Sequence, residues 1–188
     1  MELRKATLSD IDRIMPILDD ARAFQRSMGF RQWEDGYPDR ATVLADITSG
    51  NARVLVDSNR APDADAHILG YCLLAIGDRA YDCLNHSWLY PGPYGVIHRL
   101  ALSSATRGRK LARLFLDLIE RDYLRRGILS LRVDTGAENL IMRHLLLSHG
   151  FHPHGLLHFP WGPRLTFEKH LRDLPLVSTP TTLPPDSQ

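Results

Sequence analysis

The stretch from Val96 to Ala112 constrains the fold of this chain most strongly. Val96 to Leu102 is an apolar run typical of a buried strand, and a helical apolar pattern begins near Leu111. A strand that enters a helix through a tight turn directs several free backbone N–H groups at one point, and the helix dipole adds partial positive charge there. The stretch therefore predicts an anion site between a central strand and a long helix.

The rest of the chain supplies strands and helices around this unit. Strands are predicted over 2–6, 52–57, 67–76, 94–102, 128–134, 151–157 and 164–169, and helices over 10–28, 40–49, 106–126 and 137–148. Residues 77–93 read as irregular. The order has one strand–helix–strand crossover around the long helix, which predicts an α/β fold of the α+β sandwich type with a mixed, mostly antiparallel sheet and about four helices.

Three local details accompany these elements. Ser9 and Asp12 form a start signal for the first helix. Pro16 lies past the first turn of that helix, so we expect a kink or a break there. In the long helix the apolar stripe leaves Glu120 on the face that is expected to meet water.

Composition excludes several classes of protein. Lys and Arg number 23 against 22 Asp and Glu, so no bulk charge favours nucleic acid or a membrane surface. No apolar run reaches the ~18 residues of a membrane span, and residues 1–5 lack a signal-peptide core. We therefore expect a cytoplasmic protein. It is predicted to have a domain over 1–172 and a disordered Pro/Thr/Ser-rich tail over 173–188.

Over about residues 1–171 the element order and several motifs resemble the GNAT superfamily, the acyl-CoA-dependent N-acetyltransferases. The family's cofactor motif is Gln/Arg-x-x-Gly-x-Gly/Ala. Arg107 and Ala112 match its outer positions, and Lys110 stands in place of its middle Gly. The resemblance implies the GNAT fold, with a sheet of about six or seven strands that splays at its central strands, and acetyl-CoA as co-substrate.

Two further segments strengthen the resemblance. Asn139, followed by Met142 and Gly150-Phe151, is similar to the family's Asn-x-x-Ala…Gly-Phe segment. A branch of uncharacterised bacterial GNAT proteins has segments that look like Gln32-Trp33 and Ile97-His98-Arg99. This resemblance does not narrow the choice of acceptor.

The resemblance assigns the anion site to the pyrophosphate of acetyl-CoA. It implies that the main chain of Leu100 and Leu102 pairs with the pantetheine arm. If Lys110 takes an ordinary helical conformation, its ammonium group could pair with a phosphate; the alternative is a helix start with three solvated cations. The predicted cofactor-binding residues are Leu100, Ala101, Leu102, Arg107, Gly108, Arg109, Lys110, Leu111, Ala112 and Asn139.

Transfer of an acetyl group to an amine needs a base, and His98 and Asp134 are the candidates. Imidazole titrates near neutral pH, and in the arylalkylamine N-acetyltransferases a His stands at the offset of His98. The alternative is a His satisfied by a neighbour within the sheet. Asp134 ends the neighbouring strand, and its alternative role is an ion pair with Arg99 or Arg132. The family's usual acid, a Tyr, corresponds to Leu146 here, so the proton donor is missing or comes from elsewhere.

The acceptor is expected to bind against aromatic side chains. Trp33 and Tyr37 lie where the family forms its acceptor wall, although loop aromatics also serve to pin irregular segments. Histidines cluster near the C-terminal strands, as His149, His152, His154 and His158. They lack a carboxylate or Cys at ligand spacing, so no metal is predicted.

Two functions from different classes fit these observations. The first is an enzyme that moves an acetyl group from acetyl-CoA to a primary amine of a small molecule or peptide in a ternary complex. The second is a non-catalytic acyl-CoA-binding module, which Lys110 and Leu146 motivate. A nucleic-acid binder ranks last because the arginines spread around the long helix. A homodimer is left open.

Overall fold

A seven-stranded sheet in the order β1-β2-β3-β4-β5-β7-β6 organises the chain. The computed structural model describes residues 1–30, 32–59, 67–82, 88–159 and 162–171. The strands are β1 (Glu2–Lys5), β2 (Ala52–Val56), β3 (Ile68–Ile76), β4 (Tyr94–Leu102), β5 (Ser130–Gly136), β6 (His152–Phe159) and β7 (Gly162–His170). Neighbouring strands are antiparallel except for β4 and β5, which run parallel. The predicted mixed, mostly antiparallel sheet is confirmed.

Helices cover both faces of this sheet. They are α1 (Ile11–Ser27), α2 (Arg40–Thr48), α3 (Arg79–Asp82), α4 (Leu111–Arg125) and α5 (Leu140–Ser148). Side chains alternate along a strand, so Val54 and Val56 of β2 pack with α1 and α2, while Leu55 packs with α4. The two larger apolar cores lie on opposite faces of the sheet with β4 between them, and a third, smaller cluster contains Tyr81, Tyr94, Val96 and Leu157.

The first helix is preceded by a 3₁₀ turn, whose capping residues differ from the start signal predicted from the sequence. Thr7 donates its backbone N–H to the Asp10 carboxylate at 2.7 Å, and a 3₁₀ turn over Leu8–Asp10 leads into α1. The start signal is therefore Thr7 and Asp10 rather than Ser9 and Asp12. Pro16 does not break α1, which continues to Ser27. Because Pro16 and Asp12 lie on the exposed face, water can satisfy the Asp12 carbonyl that loses its N–H partner.

The long helix differs from its prediction at one end and on one face. It begins at Leu111 rather than near 106, because residues 107–110 form a turn. Glu120 is buried instead of facing water, and its Oε1 accepts a hydrogen bond from Lys169 Nζ at 2.6 Å. A lysine on β7, far away in sequence, makes this burial possible. The short helix α3 lies in the segment that was expected to be irregular.

Some predictions fall outside the described residues. They are the domain boundary near 172 and the tail over 173–188. Within the described parts of the chain, no helix is long and apolar enough to cross a membrane.

Candidate functional site

The site begins where β4 and β5 separate. The two strands pair only through Tyr94, Gly95 and Val96 on β4, opposite Ser130, Leu131 and Arg132 on β5. From Ile97 onward β4 stays paired with β3 alone. Ser103 donates to the Leu69 carbonyl at 2.9 Å, and the antiparallel alternation then turns the backbone of Leu102 to the open side. The second half of β4 thus offers a free backbone edge, as the splay implied by the resemblance requires.

Tyr123 of α4 stands at the point of separation. Its ring packs on Gly95, where an added Cβ would lie 2.3 Å from Cε1 of the ring. Its hydroxyl oxygen lies 2.8 Å from the carbonyl oxygens of both Ala75 and Val96 and shares its single hydrogen between them. The tyrosine thereby satisfies the Val96 carbonyl at the last residue of β4 that pairs with β5.

A bulge in β4 changes the direction of the side chains just beyond this point. The register with β3 shifts between His98 and Ala101, and Arg99 has a positive φ of 52°. A bulge places one extra residue on its strand and redirects the neighbouring side chains. As a result His98 and Arg99, adjacent in sequence, both line one cleft.

This cleft has a volume of about 730 Å³ and lies between the splayed strands and the loop that joins α1 to α2. All four of the predicted catalytic and acceptor residues meet there, and so do two of the predicted cofactor residues. The members of both predicted sets that line it are Trp33, Tyr37, His98, Leu100, Asp134 and Asn139. The turn over 107–112 lies outside the cleft.

His98 is paired with a carboxylate that the sequence analysis missed. Its Nε2 lies 2.9 Å from Asp78 Oδ2, just past the end of β3. The hydrogen bond from His98 is the largest influence that holds the pKa of the Asp78 carboxyl below its usual value, and the Ala80 N–H adds to it against the cost of burial. An ionised carboxylate only accepts, so Nε2 carries the hydrogen and the lone pair of Nδ1 is the basic site.

Asp134 has different partners. Its Oδ1 accepts from Tyr81 Oη at 2.5 Å and its Oδ2 from Arg164 Nε at 2.7 Å. Burial raises the pKa of Tyr81 well above its ordinary value, so the phenol keeps its hydrogen and remains a donor. The ion pair expected as the alternative role of Asp134 exists, but with Arg164 instead of Arg99 or Arg132. Both carboxylate oxygens are therefore already engaged.

The aromatic side chains divide between core and cleft. Trp33 is buried among the α1 and α2 core residues and also lines the cleft. Tyr37 is more exposed and lies with its ring 5.4 Å from the Arg99 guanidinium. His154 stacks on Trp88 at 4.3 Å, which gives it a packing role. Among the described residues, no group of three His, Cys, Asp or Glu side chains could hold a metal ion.

The turn between β4 and α4 has the backbone of an anion site. Gly108 and Lys110 both have positive φ, 75° and 57°, and Lys110 occupies the position before the helix without a side-chain cap. The first N–H groups of a helix have no partner within it, so they point out of its N-terminus. The turn is tied to α1, since Ser104 donates to Asp20 at 2.5 Å and Arg107 lies over the Phe24 ring at 5.0 Å.

Comparison with known proteins identifies the family of this chain. Residues 18–151 match the Acetyltransferase (GNAT) family. An acetyltransferase of the GNAT family from Streptococcus agalactiae has a TM-score of 0.79 and 31% identity, over 90% of this chain and 94% of that one. The chain belongs to the acetyltransferase (GNAT) family. No functionally curated protein matches it significantly.

More distant structures share the fold of this GNAT protein. The NatC complex bound to Gag peptide and CoA has a TM-score of 0.62 and 14% identity, over 90% of this chain and 99% of that one. The GNAT-like decarboxylase GphF in complex with isobutyryl-CoA has a TM-score of 0.65 and 17% identity, over 92% and 100% of the two chains. At these identities the likeness concerns the fold alone.

The two departures from the GNAT motifs have structural meanings. Lys110 replaces the middle glycine of the motif and adopts a left-handed conformation, not the ordinary helical one considered from sequence. Glycine adopts that conformation at no steric cost. Leu146, at the position of the family's tyrosine, is fully buried in the core beside α4 and carries no proton to donate. Asn139 caps α5, where its side chain accepts from Met142 N–H at 3.0 Å.

Proposed function

We propose that this GNAT protein transfers an acetyl group from acetyl-CoA to a primary amine of a small molecule or peptide, by direct attack in a ternary complex. The observation that carries the proposal is the coincidence of three features at one place. The free edge of β4, the cleft that opens beside it, and the His98–Asp78 pair all lie beyond Val96. Family membership supplies acyl transfer from acyl-CoA as the general chemistry.

The cofactor would lie along the edge that the splay opens. The pyrophosphate fits the turn before α4, where Gly108, Lys110 and the first helical residues present N–H groups. The pantetheine arm pairs with the backbone of Leu100 and Leu102 as an added strand would. This direction brings the thioester to the start of the splay, next to His98. CoA in the NatC structure and isobutyryl-CoA in the decarboxylase GphF support a CoA site in this fold.

His98 acts as the base in this proposal. The amine nitrogen attacks the thioester carbonyl carbon, and Nδ1 of His98 accepts the proton that the nitrogen loses. The C–S bond then breaks, and the CoA thiolate leaves and takes a proton from water. Asp78 orients the ring through Nε2. Asp134 is the weaker candidate, because Tyr81 and Arg164 already occupy its oxygens.

A second candidate function is a non-catalytic acyl-CoA-binding module. Leu146 favours it, because a buried leucine stands where the family has its proton donor. A thiolate can leave without a protein acid, so Leu146 does not by itself exclude transfer. Either function is expected in the cytoplasm, with no nucleic acid or membrane partner.

One experiment in two steps tests both functions. Acetyl-CoA is titrated into the protein by calorimetry, and binding is expected. Absence of heat and of any thermal shift at about 1 mM ligand would overturn both candidates together. A panel of primary amines is then screened for release of the CoA thiol. Acceptor-dependent release supports the enzyme, whereas tight CoA binding without release for every amine supports the binding module.

A further inference from the structure

Arg99, which is partly buried, is held less closely than the buried arginines of the sheet. Arg53, Arg132 and Arg164 each donate to a carbonyl or carboxylate oxygen. The Arg99 side chain is only 16% exposed and is held by Tyr37 and Asp46, but its Nε is buried without a hydrogen-bond partner among the described residues. A guanidinium has five N–H donors, and burying them unpaired is costly. Arg99 therefore keeps donor capacity for a further oxygen acceptor in the cleft.

Asp46 balances the charge of Arg99 only in part. The two side chains meet at 3.4 Å between Nη1 and Oδ2, beyond the usual length of a charge-assisted hydrogen bond. The same Oδ2 accepts from Tyr71 Oη at 2.6 Å. Burial raises the pKa of the Asp46 carboxyl above its usual value, against the lowering influence of Tyr71 and Arg99. Asp46 is thus shared between two donors, and Arg99 retains capacity for a second anion.

The surroundings of Arg99 in the cleft favour a polar occupant. Two residues that line the cleft, Gln25 and Gln32, each carry an amide oxygen that is buried without a hydrogen-bond partner among the described residues. Glu34 and Asp35, on the loop after α1, add negative charge at the same end. A ligand that presents an anion to Arg99 and N–H donors to the amide oxygens and the carboxylates would satisfy the guanidinium, the amides and the acids together. An apolar amine would leave them unsatisfied.

We propose that the acceptor carries a carboxylate beside its primary amine, as an amino acid does, and that Arg99 binds this carboxylate. That this ligand is an acetyl acceptor rests on the proposed acetyl transfer, whereas the carboxylate site itself does not depend on it. The bulge places His98 and Arg99 in the same cleft. One end of the ligand is therefore held by Arg99 while its amine lies near the base. Amines that carry no carboxylate lack the contact with Arg99 and bind less tightly.

The first test measures binding and needs no turnover. N-acetyl derivatives of alanine, leucine and phenylalanine are titrated into the CoA-loaded protein, each as the free acid and as the carboxamide. The acid is expected to bind about 10-fold more tightly than its carboxamide, or better, since hydrogen bonds between charged groups are the strong ones. Equal affinity of each pair, or no binding of any acid up to about 10 mM, would overturn the inference.

Variants assign the preference to Arg99. Arg99→Gln should remove the difference between acid and carboxamide, and Arg99→Lys should keep part of it. Arg121→Gln, an exposed arginine on α4, is the matched control and should leave the difference unchanged. A preference for the acid that persists in Arg99→Gln would contradict the assignment. The comparison of acid with carboxamide in the unaltered protein stands even if a variant folds poorly.

The second test measures turnover and separates this inference from the proposed function. For the free amino acids, Arg99→Gln should raise KM about 10-fold or more, while KM for the matched amino acid amides stays the same. If acids bind through Arg99 but no amine is acetylated, the proposed function fails and the carboxylate site stands. If neutral amines are acetylated as well as acids, and Arg99→Gln changes neither, the proposed function stands and the carboxylate site fails.

Discussion

The two halves of β4 do different work, although one strand of nine residues contains both. The first half pairs on both sides, packs on the Tyr123 ring and is fully buried. The second half pairs on one side only, contains a bulge, and presents partly buried His98, Arg99 and Leu100 to the cleft. Packing is therefore concentrated before the splay, whereas the proposed chemistry lies after it. The difference teaches that the loss of one neighbouring strand leaves both backbone groups and polar side chains of β4 open to the cleft.

The largest expected effect belongs to the second half. His98→Ala should lower turnover about 10²–10⁴-fold, the range for loss of a general base, and should change the free energy of unfolding by only about 1 kcal/mol. Steady-state kinetics and chemical denaturation measure the two quantities. His152→Ala, an exposed histidine on β6, is the control and should change neither. Full activity in His98→Ala would show that His98 is not the base.

The next effect belongs to the first half. Gly95→Ala should lower the free energy of unfolding by about 3 kcal/mol, because the new Cβ would overlap the Tyr123 ring. Urea denaturation measures the loss. In a double-mutant cycle, Tyr123→Ala should recover part of the cost of Gly95→Ala, since removal of the ring makes room. If the losses in free energy of unfolding caused by Gly95→Ala and Tyr123→Ala simply add in the double variant, the contact between Gly95 and Tyr123 does not stabilise the first half of β4.

A smaller effect is expected at the turn that follows the strand. Lys110→Gly should raise the free energy of unfolding by about 1 kcal/mol, because glycine adopts the left-handed conformation without the steric cost that other residues carry. Lys110→Ala keeps that cost and is the control. Equal stability of the glycine and alanine variants would mean that the turn does not impose this conformation.

The smallest effect is a change in pH dependence. The pKa of Asp78 is lowered in the folded protein chiefly by His98, so its contribution to stability is present above the unfolded pKa and is lost as pH falls through the folded pKa. Asp78→Asn should therefore be less stable than the parent protein at neutral pH, and the difference in the free energy of unfolding should shrink as pH falls through the folded pKa of Asp78. Thermal denaturation across pH measures this. If the thermal stability of Asp78→Asn falls in acid as steeply as that of the parent protein, the pair of Asp78 with His98 contributes nothing to stability.

The sequence predicted the strands and helices where local pattern decides them. β4 has the predicted bounds, because an apolar run between turn residues needs little further information. Errors occurred where the outcome depended on distant partners. Glu120 became buried because Lys169 reaches it from β7, and α4 starts late because residues 107–110 take left-handed and turn conformations that composition does not reveal.

The same limit applied to the site. His98 and Asp134 were recognised as candidates, but their partners were not. Asp78 lies 20 positions from His98, and Arg164 lies 30 positions from Asp134. A carboxylate directly after a glycine at the end of β3 is a weak signal by itself. Only the neighbouring register of β3 and β4 gives it meaning.

The sequence by itself determined the family, the order of the strands and long helices, and the presence of a turn between β4 and α4, because these depend on hydrophobic periodicity and on motifs that are contiguous in the chain. The tertiary structure alone decided which polar groups are satisfied. Arg164 and Arg99 are both arginines that line the cleft, yet one donates to Asp134 at 2.7 Å and the other stands 3.4 Å from Asp46. That difference arises from how separate strands and helices pack, and hydrogen bonds are sensitive to tenths of an ångström, which no local pattern specifies.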